Sequence, residues 1–126
     1  MPATVEWEND EKTIIRVTLL NRWLWSDLEY TREQVEQMID GLTYRVNLIA
    51  CADNDNWLPG SFGKNMLNMT RSVHPNVGLV VLVNANPLVE QLFRLFINLH
   101  GNLPFECAYV KSIEEAQQLL ASRMAA

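Results

Sequence analysis

Seven consecutive residues without a polar side chain, Val77-Gly78-Leu79-Val80-Val81-Leu82-Val83, constrain the fold of this chain more than any other feature. The run is far shorter than the ~20 apolar residues of a membrane-spanning helix. Turn-forming residues close it at both ends, His74-Pro75-Asn76 before it and Asn84 after it. A strand that is apolar on both faces has to be covered on both faces, as in a parallel sheet with helices above and below.

The flanking sequence supplies such helices and further strands. Residues 5–8 and 13–20 read as a hairpin around Asn9-Asp10-Glu11-Lys12, with Ile15, Val17 and Leu19 alternating against Arg16 and Thr18. Ser26-Asp27-Leu28-Glu29 has capping-box spacing, and Leu28, Val35, Met38, Ile39 and Leu42 then share one helical face that ends at Gly41. Residues 46–52 read as a short buried strand. Phe62, Met66, Met69 and Val73 recur at 4, 3 and 4, which predicts a second amphipathic helix stopped by Pro75. Asn86-Pro87 predicts an N-cap and a first-turn proline, opening a third helix that runs to about His100. Residues 105–110 read as a last strand. Ser112-Ile113-Glu114-Glu115 is a second capping box, and Ile113, Ala116, Leu119 and Leu120 carry the final helix. Strands alternating with helices pair in parallel through right-handed crossovers. The expectation is an α/β fold of about five strands and four helices. No linker or break in composition divides the 126 residues, so 1–126 reads as one domain.

Charge and cysteine content narrow the partners. Ten basic residues against 15 acidic ones give a net charge of −5, and no two basic residues are adjacent. A nucleic-acid binder needs a basic stripe to displace counterions, and an anionic membrane surface needs a basic cluster. Neither partner is expected. Cys51 and Cys107 lie far apart in apolar surroundings and read as buried structural thiols, not a disulfide framework or zinc site. No signal-peptide pattern opens the chain, so the cytoplasm is the expected compartment.

The element order, together with Trp23-Leu24-Trp25-Ser26 ahead of the first helix, resembles the small STAS-like domains. Those are similar in fold to bacterial anti-sigma factor antagonists. Leu58-Pro59 after the first buried strand, His74-Pro75-Asn76 before the most apolar strand and Ser112-Ile113-Glu114-Glu115-Ala116 at the last helix carry the same resemblance, which spans nearly the whole chain. It implies a cytoplasmic regulatory or protein-interaction domain and not a catalyst. In the antagonists a phosphorylated serine sits in an Asp-Ser-Ser-Gly-like motif where the buried strand gives way to the next helix. Gly60-Ser61-Phe62-Gly63 stands at about that place, without the leading Asp or the second Ser.

Three groups of residues are candidates for function. Asp53-Asn54-Asp55-Asn56 opens like a calcium loop, yet Trp57, Leu58 and Lys64 occupy the positions that need a ligand, the glycine and the bidentate glutamate. A solvated loop is expected, with no metal and no cofactor. Asp53, Gly60, Ser61 and Gly63 nevertheless follow the carboxyl end of a strand, where α/β sheets take ligands, and precede a helix N-terminus that favours anions. Ser61 is thus either an N-cap or a phosphorylated or anion-contacting serine. His74 and His100 have no nucleophile in support, since Ser61 lacks a G-x-S-x-G setting and Cys51 lacks a basic neighbour. Both read as structural histidines, and no catalytic residue is assigned. Trp23, Trp25 and Trp57 read either as cover for core edges or as the lining of an apolar pocket.

The third helix carries more apolar surface than one sheet face can use. Leu88, Leu92, Leu95 and Leu99 form a stripe, and Val89, Phe93, Phe96 and Ile97 extend it to roughly 200° of the wheel, against an ordinary stripe of ~100°. With the leucines on the core, Val89, Phe93, Phe96 and Ile97 become the interface candidates, covered by a neighbouring helix or by a second copy. The sequence reading is a non-enzymatic regulatory or interaction domain, homodimeric through this helix. The alternative is a small-ligand or anion-binding module built on the loop 53–63.

Overall fold

The computed structural model describes residues 3–54, 56–71, 73–84, 86–99 and 105–125. In chain order the elements are β1 (Ala3–Trp7), β2 (Ile14–Leu19), α1 (Trp25–Ile39), β3 (Val46–Ala52), α2 (Phe62–Thr70), β4 (Val77–Val83), α3 (Pro87–Leu99), β5 (Glu106–Val110) and α4 (Ile113–Ala125). The five strands form one sheet in the order β1-β2-β3-β4-β5, with β1 antiparallel to β2 and the other pairs parallel. The α/β fold expected from the sequence is the observed one.

Sheet order fixes where the helices lie. Successive right-handed crossovers that step in one direction put their helices on one face. α1, α2 and α3 therefore share a face, and α4, following the last strand, covers the other. Period-2 alternation in the strands matches this division. Ile15, Val17 and Leu48 face α1, with Val35 and Ile39 of the helix buried against them. Ile49, Leu79 and Val81 face α4, where Ala116 and Leu120 are fully buried.

Local chemistry explains the boundaries. The Asn9 side chain accepts the Thr13 and Ile14 amides at 3.0 and 3.2 Å, holding the hairpin turn while Lys12 takes φ 56°. α1 begins at Trp25, one residue before Ser26, because the Asp27 carboxylate reaches back to the Leu24 amide at 2.7 Å. The predicted Ser26 box is thus replaced by one built on Asp27. Gly41 takes φ 84° past the helix end, a conformation that costs a residue with a Cβ. At α3, Asn86 Oδ1 accepts the Leu88 amide at 2.9 Å, as the Asn86-Pro87 pair predicts. α2 ends at Thr70, ahead of Val73 and Pro75. The glycine in the apolar run has a steric reason. A Cβ on Gly78 would stand 2.5 Å from Asn47 Oδ1, which accepts the Leu79 amide at the register shift between β3 and β4.

Candidate functional site

The face covered by three helices is not tightly filled. α1 lies close over β1 and β2 and α4 close over β3 to β5, whereas α2 and α3 approach the strands less closely. Long side chains span that gap: Phe62 stacks edge-on against Phe93 at 5.1 Å and Phe96 at 6.2 Å, and Phe93 lies 6.2 Å from Tyr109 of β5. Beneath them is a partly open cavity of about 220 Å³. Ala50 and Leu82 of the sheet, Met66 and Met69 of α2, and Phe93 and Phe96 of α3 are among its walls.

Several polar groups in those walls are engaged within the protein. Thr31 Oγ1 donates to Leu28 O at 2.6 Å, Thr70 Oγ1 donates to Met66 O at 3.0 Å, and Asn84 Oδ1 accepts the Asn86 amide at 2.7 Å. Burial raises the Cys107 thiol to about 11, so it is protonated and neutral at physiological pH. The Cys51 thiol is also pushed up, chiefly by burial, and contacts Thr18 Oγ1 and Val17 O. Both cysteines are free and half-buried. Trp23, another wall residue, is 5% exposed, and its Nε1–H is buried without an acceptor among the described residues.

Two indoles tie this layer to the loop 53–63. Trp57 Nε1 donates to Trp23 O at 2.7 Å, and Trp25 Nε1 donates to Gly60 O at 2.6 Å. Trp23 and Trp25 meet edge to face at 5.3 Å, and the Arg22 guanidinium lies over Trp57. Trp23, Trp25 and Trp57 all line the cavity.

The loop's own candidate groups have structural partners. The Asp53 carboxylate accepts the amide of Asn21, a residue held at φ 52°. The Ser61 carbonyl accepts both the amide and the side chain of Asn65. Ser61 stands at the N-cap position of α2 but makes no side-chain cap, because its backbone is left-handed at φ 60° and ψ 45°. That corrects the N-cap expectation. A left-handed backbone costs an L-residue about 1–2 kcal/mol, and glycine avoids most of it. Ser61→Gly is accordingly expected to raise stability by up to about 1 kcal/mol in urea melts. A destabilised Ser61→Gly variant would mean that the hydroxyl makes a contact of value. Gly60 and Gly63 are exposed, with open space around them. Asp55 and His100 lie outside the described residues.

His74 is held between Asp40, 3.2 Å from its Nε2, and the Asn76 amide, which donates to Nδ1 at 3.0 Å. This is the structural role the sequence suggested, at the junction of α1 and β4. Among the described residues no three potential metal ligands come together, and no helix is long and apolar enough to cross a membrane.

The third helix corrects the sequence reading most. Val89 and Phe96 are 6% and 5% exposed, and Phe93 and Ile97 are half-buried. Val89, Phe93, Phe96 and Ile97 therefore face the sheet, not the outside where a second copy could meet them. The outward stripe is Leu88, Leu92, Leu95 and Leu99, exposed by 70%, 39%, 55% and 70%. The surplus of apolar surface is present, on the opposite flank from the expected one. On the inward side Phe93 and Phe96 line the cavity together with Ala50 and meet Phe62 of α2 ring to ring. The signal for the cavity lay in β3, where Ala50 and Ala52 follow Leu48 on the face beneath the helices.

A scan against protein-family models finds no match, and a search of curated proteins finds none either. Among solved structures, the chain is similar to an uncharacterized protein of the DUF3478 family with a SpoIIAA-like fold from Shewanella loihica PV-4. The likeness has a TM-score of 0.66 at 13% identity and covers 94% of this chain and 93% of that one. The fold is SpoIIAA-like, as the resemblance to STAS-like domains implied.

Proposed function

We propose that residues 1–126 form one non-enzymatic STAS-like regulatory domain that works by protein interaction and pairs with a second copy of itself through α3. The observation that carries this reading is the exposed row Leu88, Leu92, Leu95 and Leu99. Its spacing of 4, 3 and 4 is that of the seam between two paired helices. Charge favours a second copy as the occupant. The exposed residues flanking the row, Gln91 and Asn98, are uncharged, and Arg94 is paired with Glu90 at 2.8 Å, so two copies bring no like charges together. With net charge −5 and isolated basic residues, neither a nucleic acid nor an anionic membrane is proposed as partner. Two free thiols suit a reducing compartment, which supports the cytoplasm as the site of action.

A 13-residue helix is about 20 Å long, and its one face falls short of the ~800 Å² per partner of a standard interface. The pair is therefore expected to dissociate on dilution. Sedimentation velocity across low to high micromolar protein should show a monomer converting to a dimer. A monomer throughout would overturn the reading.

The small-molecule alternative changes its location. Asp53 and the Gly60 and Ser61 carbonyls are all hydrogen-bond acceptors engaged inside the protein, so they hold the loop 53–63 in place and offer an anion no donor. The cavity beside it is the observation that keeps a ligand in view.

A further inference from the structure

We propose that the cavity between the sheet and helices α1 to α3 is a binding site for one small, uncharged, hydrocarbon-rich molecule bearing a single hydrogen-bond acceptor. This goes beyond pairing through α3, which uses the opposite flank of that helix. The chemistry follows from the walls. Val17, Ala50, Leu82, Met69 and Phe96 present hydrocarbon, Thr31, Thr70 and Asn84 already have partners inside the protein, and on the α1 side Arg32 is paired with Glu29 and His74 with Asp40. An ion entering such a space loses its hydration without compensation. A hydrocarbon loses nothing by the transfer, and methionine side chains adapt to its shape.

Size sets the next limit. A dry cavity of roughly 150 Å³ takes up benzene, so the 220 Å³ here holds about eight to ten carbon atoms. Polarity sets the last. Trp23 Nε1–H is a buried donor without an acceptor among the described residues, and Trp23 is one of the walls. Buried donors are ordinarily satisfied. A single ketone, ester or ether oxygen on the guest answers that donor, whereas a carboxylate meets Glu36 in the same wall and an Arg32 already paired with Glu29.

Nonan-2-one is the probe, followed by methyl NMR of the full chain, with nonanoate as the charged comparison. Nonan-2-one should shift the Met66 and Met69 methyl signals, saturate at one equivalent and raise the melting temperature. Nonanoate should bind at least tenfold more weakly. Ala50→Ile places a β-branched side chain in the cavity floor at a strand position that favours it, and should weaken ketone binding at least tenfold. Met69→Phe, which fills the same space from the helix side, serves if Ala50→Ile does not fold. Shifts confined to the Leu88 and Leu95 methyls, equal binding of ketone and carboxylate, or wild-type affinity in the filled variant would each overturn the assignment.

Discussion

Phe96→Glu is expected to abolish folding at room temperature, with the loss of the far-ultraviolet helical signal as readout. Phe96 is 5% exposed, and its ring contacts Phe62 of α2 at 6.2 Å beneath α3. Removing a buried phenylalanine ring costs about 3–5 kcal/mol. The carboxylate adds the cost of a charge taken out of water, or of the proton it must bind to avoid that. Binding that proton at neutral pH costs about 4 kcal/mol, so the two together use up a large part of the margin of about 5–15 kcal/mol that holds an ordinary domain folded. One residue away in sequence, Leu95 is 55% exposed, and Leu95→Glu should melt within about 0.5 kcal/mol of wild type when both are monomeric. The contrast between neighbours reports the orientation of α3 directly. Should Phe96→Glu stay folded and Leu95→Glu collapse, the helix presents the opposite face to the sheet.

That orientation is also where reading the sequence reached its limit. The strands, the helices and their alternation were legible because each has its own period, and the apolar run in β4 announced a sheet covered on both faces. The Asn86-Pro87 start, the Gly41 exit and the Asn9 turn were legible because their chemistry is local. The excess of apolar surface on α3 was legible for the same reason. Which half of that surface turns inward was not, because the answer depends on what lies across the gap. The sheet floor there is Ala50 beside Leu82, and the opposing helix offers Phe62, so the large rings of Phe93 and Phe96 fill a space that leucines leave empty. Composition ranks leucine and phenylalanine alike as apolar, and a helical wheel carries no depth. Ser61 shows a second kind of limit. Its position before α2 was legible, but its left-handed backbone was not, because nothing in Gly60-Ser61-Phe62-Gly63 marks the serine and not a glycine as the residue that takes it.

The leucine row yields the largest expected change in assembly. If two copies pair across Leu88, Leu92, Leu95 and Leu99, each dimer buries Leu95 twice. Losing a buried leucine side chain costs about 1.5–3 kcal/mol per copy. Counted over both copies, that is at least a hundredfold in the dissociation constant, at about 1.4 kcal/mol per tenfold. Leu95→Glu also sets two carboxylates near each other across the two-fold axis, where Gln91 and Asn98 are uncharged and the nearby Arg94 is already paired with Glu90. At a concentration where the wild type sediments as a dimer, Leu95→Glu should therefore sediment as a monomer with an unchanged far-ultraviolet spectrum. Salt separates the two contributions. At about 1 M ionic strength the Debye length falls to about 3 Å, which removes most of the repulsion and none of the lost apolar contact. The variant should stay largely monomeric there. A dimer fully restored by salt would mean that repulsion alone split the pair and that the leucines contribute little. An unaltered dimer in Leu95→Glu would place the contact between copies elsewhere on the surface.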